Sequence, residues 1–255
     1  MLVTSGPTRA YIDHVRYIAN ASTGALGARI VEALTARNIP VVHLYGAGSE
    51  KPSVGAIHES PQLLESIPVT TVDDLIQAVE AAAQRGDIAA VIHAMAVLDY
   101  VPEAMIEGKM PSGEDHWDIR LVRTPKVIGL LRELMPDSCI VGFKLESGIS
   151  DRELVARAAA LMDKYRLDLV VANRLENIDA NKSPDLPQRL EDAKKKNNKI
   201  NLRAFAPSRQ SKDLADRHEA LFVGPGGQVL ARFSSKRDIA ASLADFIIER
   251  GFSRI

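Results

Sequence analysis

A single cysteine, Cys139, occurs in 255 residues, which excludes an internal disulfide framework and suits a reducing compartment. No apolar run approaches the roughly 20 residues that a helix needs to cross a bilayer. The N-terminus reads as a strand rather than a basic leader, so a cytoplasmic location is expected. Charge of one sign is also missing: the formal net charge is -1, which gives no bulk attraction to nucleic acid or membrane, and neither is expected as a partner.

Several chemistry-bearing motifs are absent. The glycines after the first apolar run do not form G-x-G-x-x-G, and Gly46-Ala47-Gly48 runs into Lys51-Pro52 with no helix opening. No tyrosine has a lysine four positions on, so a short-chain reductase pair is missing and hydride transfer loses its main support. There is no G-x-x-x-x-G-K-[ST] phosphate loop. The 6 histidines lack H-x-x-x-H or H-E-x-x-H spacing, and one cysteine cannot complete a zinc set. His43 and His93 lie inside apolar runs and read as core residues, as does Cys139 in SCIVGF.

What is present is globular composition, with 46% hydrophobic and 25% charged residues. Apolar runs of strand length alternate with amphipathic segments of helix length, which argues for a doubly wound α/β fold with a mostly parallel sheet. The pattern predicts strands at 1–4, 40–45, 67–71, 88–95, 138–143 and 168–173, and helices at 22–37, 73–85, 125–135 and 151–166. The third helix is expected to open on Pro125. After Asn173 the regularity breaks into a Lys- and Asn-rich excursion containing KKKNNK at 194–199, read as a solvated loop or hairpin. EALFVGPGGQVLARF then predicts two short strands around a Gly-rich turn, followed by a helix from 236 to 250. One domain, 1–255, with an irregular excursion at about 176–235 is the economical division.

In such a fold, ligands bind beyond the carboxyl ends of the strands. About sixteen residues separate the strand MLVT from the helix expected near Ser22, far more than a dinucleotide turn needs. Asn20, Ser22, Thr23 and Gly24 stand where that helix begins, with Gly27 one turn inside. A helix N-terminus offers unpaired N–H groups, so small residues there admit a phosphate; N-capping by Ser22 or Thr23 and close helix packing at Gly27 are the structural alternatives. Gly6, Thr8, Arg9 and Arg16 lie on the long loop, where two arginines could hold a second anion. The carboxyl ends of later runs deliver Ala96, Asp99, Phe143 and Asn173 to the same edge. YVPEAMIEGKMPSGEDH reads as a flap carrying Lys109, a lysine able to close over developing negative charge.

Taken in order, RYIANASTGALG, HAMAVLDY, GKMPSG, RTPKVI, VGFKLESG and DLVVAN closely resemble the phosphopantothenate cysteine ligase (phosphopantothenoylcysteine synthetase) family, over about 1–178 and more faintly 219–248. The resemblance implies activation of the 4'-phosphopantothenate carboxylate by a nucleoside triphosphate, CTP or ATP, with magnesium. L-cysteine then displaces the nucleotide to form the amide. It implies that Asn20 stabilises the acyl-nucleotide and that Lys109 acts on the triphosphate. Gly6, Ser22, Gly24 and Gly27 would cradle the nucleotide, with Phe143 and Asn173 near its base and sugar. Arg16 would meet the phosphopantothenate phosphate, and Met95, Ala96 and Asp99 would wall the pantothenate arm.

Two positions depart from the family pattern. Met95 stands where alanine is usual, and a lysine pair of CTP-using members is represented only by Lys164, since Ala160 holds the other place. Family members are homodimers, which is also the default for a soluble oligomer. The flavin-dependent decarboxylase that many bacteria fuse to this ligase is not expected on this chain. A catalytically inactive nucleotide-binding protein of the same fold and an NAD(P)-dependent reductase are the competing expectations.

Overall fold

The computed structural model describes residues 1–53, 63–111, 113, 115–175 and 216–251. Its strands are β1 (Leu2–Ser5), β2 (Arg9–Tyr11), β3 (Tyr17–Ala19), β4 (Val41–Gly46), β5 (Leu64–Val69), β6 (Ala90–His93), β7 (Tyr100–Pro102), β8 (Leu121–Arg123), β9 (Cys139–Glu146), β10 (Leu169–Arg174), β11 (Arg217–Val223) and β12 (Val229–Ser235). Its helices are α1 (Ala25–Thr35), α2 (Val72–Gln84), α3 (Val127–Leu134), α4 (Asp151–Tyr165) and α5 (Lys236–Glu249).

Eight strands form one sheet in the order β12-β11-β10-β9-β6-β1-β4-β5. The pairs from β5 to β10 are parallel, while β11 and β12 join antiparallel. The chain winds outward from β1 through α1 to β4, then returns and winds the other way from β6. The crevice between the carboxyl ends of β1 and β6 is therefore the topological switch point, where this fold class takes ligands.

Alternating strand residues feed two cores. Leu2, Leu44, Val91, Ile140 and Val170 face α2, α3 and α4. Val3, Val41, Ile92, Val141 and Val171 face α1 and α5. Both faces are covered, so the central strands read as continuous apolar runs. Leu44 is fully buried, and cutting it to alanine should cost about 2–5 kcal/mol.

Local chemistry sets the helix boundaries. Thr71 with Asp74 and Ser150 with Glu153 form capping boxes at the starts of α2 and α4. Helix α1 begins at Ala25 rather than Ser22 because Gly24 adopts a left-handed φ of 72°. Helix α3 begins at Val127 with Lys126 as its extended cap, which corrects the expectation that Pro125 opens it. Strand β5 falls at 64–69 instead of 67–71; it pairs on one side only, an edge where Pro68 withholds no ladder donor. The final two strands extend the main sheet, so 217–235 is regular rather than part of an excursion. Residues 176–215, with the KKKNNK run, lie outside the described residues. No helix among the described residues is long and apolar enough to cross a membrane.

Candidate functional site

The long loop after β1 is a hairpin of β2 and β3 standing at the carboxyl edge, and β7 with β8 makes a second ribbon beside it. The base of the hairpin is stitched into the crevice. Pro7 bridges Ala96, the Ala96 amide donates to the Gly6 carbonyl at 2.8 Å, and the Thr8 hydroxyl accepts from the Leu98 amide at 2.9 Å. Thr8 is fully buried and acts here as a structural tie between the β1 and β6 loops.

Asn20 closes the other side. Its side-chain NH2 donates to the carbonyls of Ala96 and Val97, both at 3.1 Å. Asn20 is exposed, so the amide stands at the lip of the crevice with its oxygen uncommitted among the described contacts. Beyond it, the Ser22 and Thr23 hydroxyls accept from the Gly24 and Ala25 amides at 3.4 and 3.3 Å. Asn20, Ser22, Gly24, Gly6 and Ala96 are thus gathered at one place. Met95 is buried in the α2–α4 core, and Asp99 ion-pairs with Lys126.

The glycines of this region are packed against. A Cβ on Gly27 would lie 2.1 Å from the Ser5 Cβ, so Gly27 serves close packing of α1 on β1. Gly6, at φ 77°, and Gly24 both face Ser49: a Cβ on Gly6 would lie 1.8 Å from the Ser49 Oγ. The Gly46-Ala47-Gly48 run, which opens no helix, instead turns so that Ser49 folds over the start of α1. There the Glu50 amide donates to the Thr23 carbonyl at 2.9 Å and the Ser49 hydroxyl donates to the Gly46 carbonyl at 2.7 Å.

Beneath the crevice the β1 hydroxyls meet two buried imidazoles. Thr4 Oγ1 lies 2.7 Å from His93 Nδ1, and Ser5 Oγ lies 2.8 Å from His43 Nε2. Burial pushes both imidazoles down to about 4, so both are neutral at ordinary pH. Burial also pushes the Cys139 thiol up to about 12, which removes it as a nucleophile. The core reading of all three residues holds.

Arg16 and the backbone next to Lys109 meet at a residue that sequence reasoning passed over. Asp13 is fully buried in the hairpin turn and accepts from the amides of Val15 at 2.8 Å, Arg16 at 2.7 Å and Met110 at 3.1 Å. Its second oxygen also takes the Arg16 guanidinium at 2.8 Å. Burial alone would raise this carboxyl, but the three amides and Arg16 bring it below the usual carboxylate range. The His14 amide donates to the Gly108 carbonyl at 3.0 Å, so Lys109 is anchored on both sides while its own side chain stays exposed. The signal was present as an Asx turn, Asp13 followed by Arg16, inside a hairpin.

The remaining residues lie apart from this group. Phe143 packs toward the α1–α5 face and Asn173 is buried against His218 Nε2 at 3.2 Å. They stand two and three strands from β1, roughly 10 and 14 Å across the sheet. A cleft of about 280 Å³ near Asn173 is lined by Asp151, Arg174, Glu219, Arg232 and Ser234, with both arginines ion-paired to Asp151. Lys164 is in the last turn of α4, whose first turn meets the end of β10 through Arg174 and Asp151. The length of α4 carries Lys164 roughly 20 Å away, to the opposite edge of the sheet, and one chain does not bring it to the crevice. Among the described residues no group of three or more His, Cys, Asp or Glu side chains could hold a metal ion.

The DNA/pantothenate metabolism flavoprotein C-terminal domain family matches residues 1–202. A curated relative, the coenzyme A biosynthesis bifunctional protein CoaBC of Thermococcus kodakarensis, is 36% identical over 177 residues, which is 69% of this chain and 41% of that protein. The chain thus spans about two fifths of the length of the curated relatives it matches. Among solved structures, the DNA/pantothenate metabolism flavoprotein from Streptococcus pneumoniae is similar, with a TM-score of 0.74 at 27% identity over 98% of each chain. A Cab2 mutant in complex with phosphopantothenate-cysteine shares the fold, with a TM-score of 0.64 at 19% identity over 98% of this chain and 87% of that one.

Proposed function

Because this chain belongs to the DNA/pantothenate metabolism flavoprotein C-terminal domain family, we propose that it joins 4'-phosphopantothenate to L-cysteine through an acyl-nucleotide, releasing a nucleoside monophosphate and pyrophosphate. A carboxylate is a poor electrophile because its leaving group would be oxide. Attack of the carboxylate oxygen on the α-phosphorus of the triphosphate expels pyrophosphate and makes a mixed anhydride. The cysteine amine then adds to the acyl carbon, and the nucleoside monophosphate leaves with the former carboxylate oxygen.

The observation that carries this reading is Asn20 at the switch point, bridging the α1 loop to the carbonyls of Ala96 and Val97. Both side-chain N–H groups are engaged there, so donation to the acyl oxygen requires one carbonyl to be exchanged for substrate. Catalytic hydrogen bonds are often formed only in the substrate complex. An amide donor suits the task because it adds no titratable group beside two polyanions. Lys109, exposed on a flap anchored through Asp13, supplies mobile positive charge for the triphosphate.

Gly6, Ser22 and Gly24 would hold nucleotide phosphates once Ser49 yields, with Phe143 and Asn173 toward base and sugar. Met95, Ala96 and Asp99 would wall the pantothenate arm. A magnesium ion would ride chiefly on triphosphate oxygens, as this ion commonly does, and neutralise charge there. Lys164 could reach a nucleotide only from a partner subunit.

A homodimer fits the exposed apolar side chains concentrated on the two ribbons: Tyr11, Val15 and Tyr17 on the hairpin, Tyr100 and Leu121 on the other. The function is tested by mixing the protein with phosphopantothenate, cysteine, magnesium and either CTP or ATP. Pyrophosphate release with one of them is the expected result, and its absence with both rejects the proposal.

A further inference from the structure

A buried polar pair stands at the carboxyl edge beyond the crevice. Asn173 near the end of β10 and His218 near the start of β11 are each 6% exposed, and the Asn173 side-chain NH2 lies 3.2 Å from His218 Nε2. An amide nitrogen only donates, so Nε2 is the acceptor and the ring proton sits on Nδ1. That Nδ1 is buried with no partner. Burial first, and then the Lys236 ammonium, push the imidazole down to about 4, so Nε2 keeps its lone pair at ordinary pH.

The consequence falls on the other arm of the carboxamide. With the NH2 spent on the imidazole, the Asn173 oxygen points away from His218. It accepts from no donor among the described residues and, unlike His218 Nδ1, it is not sealed from solvent. Val171 pairs with Phe143 across β10 and β9, so Phe143 shares a face with Asn173, two residues back along the sheet and one strand over at about 5 Å between strands. An aromatic ring to stack on and an uncommitted acceptor beside it suit a nucleoside, which offers a flat base together with hydroxyl and amine hydrogens. Without the imidazole the carboxamide could rotate and present its NH2 instead, and a buried NH2 left unpaired is unfavourable.

We propose that His218 is a positioning residue, which locks the Asn173 carboxamide so that its oxygen is offered to a hydrogen-bond donor on the nucleoside half of the triphosphate. This rests on the ligase reading above, within which it names the residue that sets how the nucleoside is held. The donor is either a sugar hydroxyl or the exocyclic amine of the base, which adenine and cytosine both carry.

Nitrogen-15 NMR of the full chain reads the tautomer. The His218 ring should carry its proton on Nδ1; a proton on Nε2 would make the imidazole a donor to the amide oxygen and overturn the proposal, whether or not any variant folds. Calorimetric titration reads the consequence. Wild type, His218→Phe and His218→Gln are each titrated with ATP, CTP, their 2'- and 3'-deoxy forms and inorganic tripolyphosphate. His218→Phe, a ring without an acceptor, should weaken the nucleoside triphosphates by about five- to tenfold and leave tripolyphosphate unchanged. His218→Gln, whose oxygen can accept from the Asn173 NH2, should recover most of the loss. A matching loss when wild type meets a deoxy nucleotide assigns the donor to the sugar; full affinity for the deoxy forms assigns it to the base amine. Equal nucleotide affinities in wild type and His218→Phe, or an equal loss for tripolyphosphate, overturn the proposal. Wild type that binds no nucleotide overturns it together with the ligase reading, whereas His218-dependent nucleotide binding without pyrophosphate release rejects the ligase reading alone.

Discussion

Asp13 accepts the amide hydrogen of Met110 at 3.1 Å across 97 positions of sequence, tying the hairpin turn to the flap that carries Lys109. The carboxylate is buried and meets only donors. Asp13→Asn replaces one acceptor oxygen by a donor facing Arg16 or Met110, so the flap should loosen. The expected outcome is a lower melting temperature together with faster proteolysis between residues 103 and 111. Unchanged cleavage there would remove Asp13 as the anchor.

Lys109 itself is exposed and carries no packing role. Lys109→Gln should therefore leave the melting temperature alone and lower kcat by about a hundredfold, the scale of losing one charged stabiliser of a transition state. Steady-state kinetics with saturating nucleotide read this directly, and an undiminished kcat would take Lys109 out of the reaction.

Asn20→Asp should be more damaging than Asn20→Ala. A carboxylate at this position faces the carbonyl oxygens of Ala96 and Val97 as well as the incoming substrate carboxylate, and all of them repel it. Amide formation should fall at least about a hundredfold in either variant. If Asn20→Asp forms product at the wild-type rate, the asparagine has no part in holding the anhydride.

Gly27→Ala separates packing from phosphate binding. The added methyl would meet the Ser5 Cβ at 2.1 Å, so α1 must shift on β1. Overpacking of this kind costs about 1–3 kcal/mol. Urea denaturation without ligand should show the loss, whereas a pure phosphate-binding glycine would leave ligand-free stability intact.

Acid should weaken the fold before its carboxylates protonate. His43, His93 and His218 are buried, and burial first of all lowers each imidazole to about 4. The unfolded chain takes up protons near pH 6.5 while the folded chain resists, so stability is fully kept above about pH 6.5 and declines from there toward pH 4. At about pH 5 each histidine costs on the order of 1–2 kcal/mol. Denaturant midpoints that match at pH 7.5 and pH 5 would show that the imidazoles are not held neutral.

The sheet and its helices were legible because both faces are covered, and buried parallel strands announce themselves as apolar runs. Asn20 and Gly24 were legible too, since small residues behind a strand and before a helix mark the switch point. What chemistry each arginine carries was not. Arg9 and Arg16 look alike in sequence, and only the burial of Asp13 shows which charge is already matched. Lys164 came from the resemblance alone, and its distance from the crevice was not legible there: a helix that precedes a parallel strand ends near the start of that strand, not near its carboxyl end. Gly27 was ambiguous between packing and phosphate approach until Ser5 was seen beneath it.

The proposed reaction activates the acyl carboxylate by joining it to the nucleotide. The most direct measurement follows an oxygen-18 label in the carboxylate of 4'-phosphopantothenate through one turnover with cysteine. The label should appear as one heavy oxygen in the phosphate of the released nucleoside monophosphate. Label found instead in inorganic phosphate, or a nucleoside monophosphate free of it, would contradict the acyl-nucleotide account.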